Sequence, residues 1–124
     1  MKSNAMILAA HGSRLKSSNE EVAQLAAKLS QQLKQRFAQV EPAFLELSPP
    51  SIEDAIDNCV AAGHQQITVV PYFLAAGRHV KDDVPAIIAQ AKQKYPDVDI
   101  ELTQHLGLST GLVDAVTGLL DSES

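Results

Sequence analysis

Four side chains able to hold a metal ion or carry a proton, His11, Glu46, His79 and His105, stand along the sequence, each beside the end of a short apolar run. Imidazole and carboxylate are donors that first-row divalent ions such as cobalt, iron and nickel accept, and a neutral imidazole near pH 7 also takes up a proton. Two or three such donors on separate loops leave coordination positions open. An ion held that way stays exchangeable, which suits delivery rather than permanent residence. His11 lies in His11-Gly12-Ser13-Arg14 and His79 in Gly77-Arg78-His79-Val80-Lys81, so each imidazole has a glycine and a cation close by. The result is a local basic rim, able to draw in an anionic substrate, in a chain whose formal net charge is −5. Each residue also has a plainer use: loop or cap donor for the histidines, alternating strand position for Glu46, surface group for His105, solvated charge for Arg14 and Arg78. His64, next to Gly63, reads as solvated and Cys59 as a packing residue. The Asp82-Asp83 pair reads as favouring a helix N-terminus.

The elements that must position these groups follow from the apolar pattern, which alternates between short β-type runs and helical stripes four times. That alternation specifies an α/β protein with a four-stranded, mainly parallel sheet flanked by helices. Residues 5–10 form a near-continuous apolar run, as a strand buried on both faces requires. Ser18 with Glu21 matches a capping box, and Val22, Leu25, Ala26, Leu29, Leu33 and Phe37 recur at helical steps behind it. A second strand over residues 40–47 leads into a helix opened by Ser48-Pro49-Pro50-Ser51, with the prolines in its first turn. Its buried stripe is Ile52, Ala55, Ile56, Cys59 and Val60, and Gly63 is its stop. A third strand covers residues 66–74, with an end or bulge at Pro71. A helix with Val84, Ile87, Ile88 and Ala91 ends before Pro96. A fourth strand over residues 98–104 and a helix bearing Leu112, Val113, Val116, Leu119 and Leu120 complete the pattern. In such sheets ligands bind beyond the carboxyl ends of the strands. His11, Glu46, His79 and His105 all fall on that rim, one per strand, and His64 falls on the opposite edge.

Composition narrows the class. A chain of 124 residues with 45% hydrophobic and 20% charged residues is globular and sized for one domain, residues 1–124. No stretch approaches the ~18 consecutive apolar residues of a membrane span, and the run at residues 5–10 is too short for a signal peptide, so a soluble, cytoplasmic protein is expected. One cysteine excludes an internal disulfide and a multi-thiolate metal site. A pI near 5.2 without tryptophan argues against nucleic acid as the main partner.

Three motifs in order, His11-Gly12-Ser13-Arg14, then Phe44-Leu45-Glu46-Leu47 with Pro50-Ser51-Ile52, then the run from Val70 through Gly77-Arg78-His79-Val80-Lys81 to Pro85, resemble the short form of the CbiX-type sirohydrochlorin chelatases, in the class II, ATP-independent group. The resemblance covers nearly the whole chain. It implies a flavodoxin-like chelatase fold and a lyase that inserts Co2+ or Fe2+ into sirohydrochlorin with release of the pyrrole protons, in cobalamin or siroheme biosynthesis; the same donors also suit Ni2+. His11 and His79 become the metal-binding and proton-accepting pair, with Glu46 a catalytic helper. Long family members hold two such units, so one unit implies a symmetric homodimer with the macrocycle between subunits. One departure stands out. A proline or His-Pro step is expected after Leu-Gly in the last unit, and the sequence reads His105-Leu106-Gly107-Leu108-Ser109-Thr110.

The chemistry of such a substrate fits the residues. A polycarboxylate macrocycle needs donors, which Ser13, Arg14, Arg78, Lys81 and the amides at helix N-termini supply. Its flat ring needs an apolar wall, for which Tyr72, Phe73 and Leu74 are candidates. No nucleotide is required, and no GxxxxGK[ST] loop is present. Two other functions use the same groups: a metal or tetrapyrrole carrier without turnover, and a phosphoryl-transfer enzyme with a nucleophilic histidine. The second usually has arginine immediately before its histidine, where this chain has Ala10.

Overall fold

The computed structural model describes residues 4–75 and 77–122, the side chains of His79, Val80 and Ser122 excepted. Strands β1 (Asn4–Ala10), β2 (Gln39–Phe44), β3 (Gln66–Pro71) and β4 (Asp99–Leu102) alternate with helices α1 (Lys16–Gln32), α2 (Ile52–Ala61), α3 (Val84–Lys94) and α4 (Gly111–Ser122). The sheet order is β2-β1-β3-β4 and every pairing is parallel. Right-handed crossovers then dictate the layers. The step from β1 to β2 runs one way along the sheet and carries α1 to one face. The steps to β3 and β4 run the other way and carry α2 and α3 to the opposite face.

Period-two alternation sorts β1 between those faces. Ala5, Ile7 and Ala9 join Ile67, Val69 and Ile100 under Ile52, Ile56, Val84 and Ile88 of α2 and α3, in one closed core. Met6 and Leu8 look toward α1 instead, and are also buried. On that face the cover is partial, because α4 makes its strongest contact with the 3-10 turn before it, Leu106–Leu108, rather than with the sheet. Its apolar residues form a helical stripe as the spacing predicts, but Val113, Val116, Leu119 and Leu120 are 55–71% exposed.

Several local expectations give way to other contacts. Helix α1 begins at Lys16 with Leu15 at its cap position and no side-chain cap bond, so Ser18 and Glu21 form no capping box. The local bonding goes to Asn19, whose Oδ1 accepts from the Ser13 amide at 2.9 Å and whose Nδ2 donates to the Ser13 carbonyl at 2.8 Å. Strand β2 stops at Phe44, not Leu47: the Phe44 amide donates to the Pro50 carbonyl at 2.9 Å, and Leu47 turns the chain with φ +69°. The prolines precede the α2 cap rather than filling its first turn, and Ser51 caps the helix by accepting from the Asp54 amide at 3.0 Å. Gly63 does end α2, in a Schellman arrangement: its amide donates to Val60 and that of His64 to Cys59. Strand β3 ends at Pro71, the end rather than the bulge that the proline allowed and three residues short of Leu74, and β4 is shorter than expected, at Asp99–Leu102. A π-helical turn, His79–Asp83, leads directly into α3.

Candidate metal centre at the strand ends

Beyond the sheet, the chains leaving β1 and β2 stay side by side. Leu45 donates its amide to Ala10 at 2.9 Å and Glu46 to His11 at 3.0 Å, which extends the ladder past both strand ends. The close approach depends on Gly12. Its φ is +97°, and a Cβ built there would stand 1.8 Å from the Glu46 carbonyl oxygen, so no side chain fits. With the backbones thus registered, His11 Nε2 and Glu46 Oε2 meet at 2.8 Å. Both side chains remain open to solvent, at 43% and 52%. Leu47, next in sequence, holds a left-handed conformation that an aliphatic residue rarely adopts. Backbone strain of this kind gathers at functional sites.

The pair sits beside the place where the topology opens a crevice. Order β2-β1-β3-β4 reverses direction between β1 and β3, so the loop after β1 departs toward α1 and the loop after β3 toward α3. The β3 loop carries Gly77, Arg78 and His79. The His79 backbone opens the π-helical turn, and its side chain lies outside the described residues. Among the described residues no three histidine, cysteine, aspartate or glutamate side chains converge as a metal cage. The loop after β4 braces the β3 loop from behind: Gly107 donates its amide to the Phe73 carbonyl at 2.9 Å, with a Cβ at Gly107 placed 1.8 Å from the Leu74 oxygen.

The histidine–glutamate contact is a chemically useful one. A neutral imidazole that donates Nε2–H to a carboxylate is held in the tautomer whose lone pair is on Nδ1. A divalent ion can also take the place of the bridging proton. Donors about 2.0–2.2 Å from an ion and at right angles to each other stand roughly 3 Å apart, close to the spacing already present.

The sequence signature of the CbiX family matches residues 5–123. The chain belongs to the CbiX family. It is 34% identical over 113 residues to the sirohydrochlorin ferrochelatase, chloroplastic, of Arabidopsis thaliana, covering 91% of this chain and 49% of that one. In structure it resembles the sirohydrochlorin chelatase SirB from Bacillus subtilis subspecies spizizenii in complex with cobalt, with TM-score 0.84 and 34% identity over 98% of this chain and 51% of that one. It also resembles a CbiX protein of Marinobacter aquaeolei VT8 assigned to cobalamin (vitamin B12) biosynthesis, with TM-score 0.79 and 32% identity over 97% and 96% of the two chains. The chain thus spans about half the length of the Arabidopsis relative and of SirB.

Around this CbiX site the other sequence-selected residues take distinct places. Arg14, Arg78 and Lys81 are exposed near the rim. Ser13 is tied into its own loop, its Oγ accepting from the Leu15 amide at 3.0 Å. Tyr72, Phe73 and Leu74 do not make one wall within a chain. Phe73 packs on the α2/α3 core, Tyr72 lines a groove on the other face, and Leu74 is 71% exposed. His105 is half-buried at the start of the 3-10 turn and lines a cavity with Val70 and Thr103. Sequence reasoning overlooked Asn19, the brace of the His11 loop, although a polar residue on the inner side of a first helical turn is a cue for such a bond.

At the opposite edge His64 is not simply solvated. Its Nε2 meets Gln39 Oε1 at 2.9 Å, and its buried Nδ1 has no hydrogen-bond partner among the described residues. Gln39 passes the network on to Glu41, which receives the Cys59 thiol at 3.7 Å. Burial first, then the Glu41 charge, pushes the Cys59 thiol up to about 12. That leaves it inert packing rather than a nucleophile.

Proposed function

We propose that this chain is a sirohydrochlorin metallochelatase, a lyase that places Co2+ or Fe2+, and with the same donors Ni2+, into the macrocycle without a nucleotide. The observation that carries the reading is the 2.8 Å contact of His11 Nε2 with Glu46 Oε2 at the solvent-open rim of a CbiX domain. The relatives support the metals: one is named a ferrochelatase, and the SirB structure contains cobalt.

The incoming ion displaces the proton between His11 and Glu46 and takes His79, from the segment after β3, as a further donor. Few protein ligands keep positions open, so the ring nitrogens can replace them one at a time. As the ion passes to the ring, the released imidazole and carboxylate accept the pyrrole protons. Holding a partly coordinated ion face-on to the ring removes the cost of bringing two partners together and of stripping water in one step. Arg14, Arg78, Lys81 and Ser13 take the peripheral carboxylates, and Leu74, the exposed member of the Tyr72-Phe73-Leu74 run, lies against the ring surface.

One unit offers one rim, and a symmetric homodimer of single-domain subunits encloses the macrocycle between two. Among the described residues no helix is long and apolar enough to cross a membrane, and the reading places the protein in the cytoplasm, with no nucleic-acid partner, in cobalamin or siroheme synthesis. The test is an anaerobic absorbance assay of excess sirohydrochlorin with each metal in turn. Many equivalents of product per protein, lost in His79→Ala with unchanged thermal melting, are expected. Product that stops at one equivalent identifies a carrier instead.

A further inference from the structure

The two ends of the sheet differ in the apolar surface they show to solvent. Among the described residues outside α4, the exposed large apolar side chains are Leu15, Leu47, Tyr72, Leu74 and Leu108. All five stand in segments between the carboxyl end of a strand and the helix that follows, and each of those four segments carries one of the leucines. The turns at the opposite end, residues 33–38, 62–65 and 95–98, expose no large apolar side chain. Surface leucines scattered singly carry no message, but four gathered at one end of a sheet, around the His11–Glu46 pair, form a pattern.

Leu47 is the telling member. Its φ of +69° crowds the Cβ against the backbone, and glycine or asparagine makes such a turn with less strain. Burial does not offset this, because the side chain is 56% exposed. A residue unfavourable both in backbone conformation and in solvation, directly after Glu46, points to a contact outside the fold. The charges beside the leucines define what makes that contact. Arg14 adjoins Leu15, while Arg78 and Lys81 follow Leu74, and all three cations are exposed. Apolar and cationic groups interleaved around metal donors complement a flat molecule with apolar faces and a carboxylate edge.

We infer that Leu47, with Leu15, Leu74 and Leu108, forms an apolar collar on which one face of a polycarboxylate macrocycle rests, and that leucine stands at position 47 for this contact although it strains the turn. The inference rests on the chelatase reading and extends the ring contacts beyond Leu74 to all four strand-end segments. It makes position 47 a place where ligand affinity and fold stability pull in opposite directions.

The test is an anaerobic fluorescence titration of metal-free sirohydrochlorin into wild type, Leu47→Asn, Leu47→Met and Leu74→Asn, with thermal melting and light scattering of each protein. Leu47→Asn is expected to melt at or above the wild-type temperature and yet bind about fivefold more weakly, the loss of part of one leucine contact. Leu47→Met, apolar like the wild type, should bind within about twofold of it, and Leu74→Asn should weaken binding without a rise in Tm. In turnover, Leu47→Asn should raise KM and leave kcat nearly unchanged. Wild-type affinity in Leu47→Asn overturns the inference. So does weaker binding accompanied by a lower Tm, which marks a structural role, or by a change in mass, which marks a contact between protein chains. Failure of the chelatase reading is distinct: the affinities follow the expected order while wild type inserts no metal.

Discussion

The two faces of the sheet are built from the same kinds of residue yet end in opposite states. Under α2 and α3 the core is closed, with Ile7, Ile52, Ile56, Ile67, Val69 and Val84 at most 1% exposed. Under α1 and α4 an apolar groove stays open and four apolar side chains of α4 face solvent. The difference teaches that apolar periodicity fixes an element's existence and its inward stripe, not what lies against that stripe. The closed face holds the chain together. The open face and the rim above it are the surfaces this fold leaves accessible.

Substitution should separate the faces sharply. Ile56→Ala in the closed core is expected to lower stability by about 2–5 kcal/mol through lost burial and the cavity left behind, read from chemical denaturation. Val116→Ala at an exposed position of α4 should lose under about 0.5 kcal/mol, the usual size for such positions. Equal losses would erase the contrast. Next in size, Gly12→Ala forces a strained conformation and a clash with the Glu46 carbonyl, and should cost about 1–3 kcal/mol. It should also part His11 from Glu46, so metal insertion falls more than stability explains. A Gly12→Ala protein with wild-type turnover would detach the backbone register from the chemistry.

Smaller effects probe the closed face alone. Ser51→Ala removes the α2 cap and should cost about 1 kcal/mol, visible as a lower Tm. The smallest belongs to Asp57, which accepts from the Tyr95 hydroxyl at 2.6 Å and from Lys94 at 3.2 Å. The Tyr95 hydrogen bond, then the Lys94 contact, hold its carboxyl below the usual value of 3.8 against the opposing effect of partial burial. A group depressed in the folded state stabilises the fold above its unfolded pKa, and that contribution fades as pH falls through the lowered value. Tyr95→Phe should therefore narrow the stability difference between pH 6 and pH 3; an unchanged difference would remove Asp57 from the acid response.

How far these features can be read in advance differs by place. The strands and helices are legible because β1 is apolar from Ala5 to Ala10 and α2 and α3 carry stripes at helical steps, and a stripe facing a closed core satisfies local and global demands together. The Ser18–Glu21 cap is misleading because Ser13 and Asn19 make a competing loop bond that a three-residue spacing rule does not see. The end of β2 is hidden for a similar reason, since Phe44 finds its partner in Pro50 rather than in the next strand residue. Tyr72 and Phe73 part company because the two-residue alternation of β3 persists past Pro71, a signal present in the sequence. The rim positions of His11, Glu46 and His105 follow from strand order in outline, but the 2.8 Å contact depends on the Gly12 approach, which no pattern of side-chain types reveals. The uncovered stripe of α4 is invisible at that level, because its spacing is the same whether the cover comes from the same chain or another.

The most direct test of the account is the initial rate of Co2+ insertion into sirohydrochlorin by wild type, His11→Ala and Glu46→Gln under anaerobic conditions. The account predicts that His11→Ala falls to the uncatalysed rate and Glu46→Gln falls at least tenfold, both with wild-type melting curves. Wild-type rates in both variants would mean that the paired imidazole and carboxylate at the strand ends do not handle the metal or its protons.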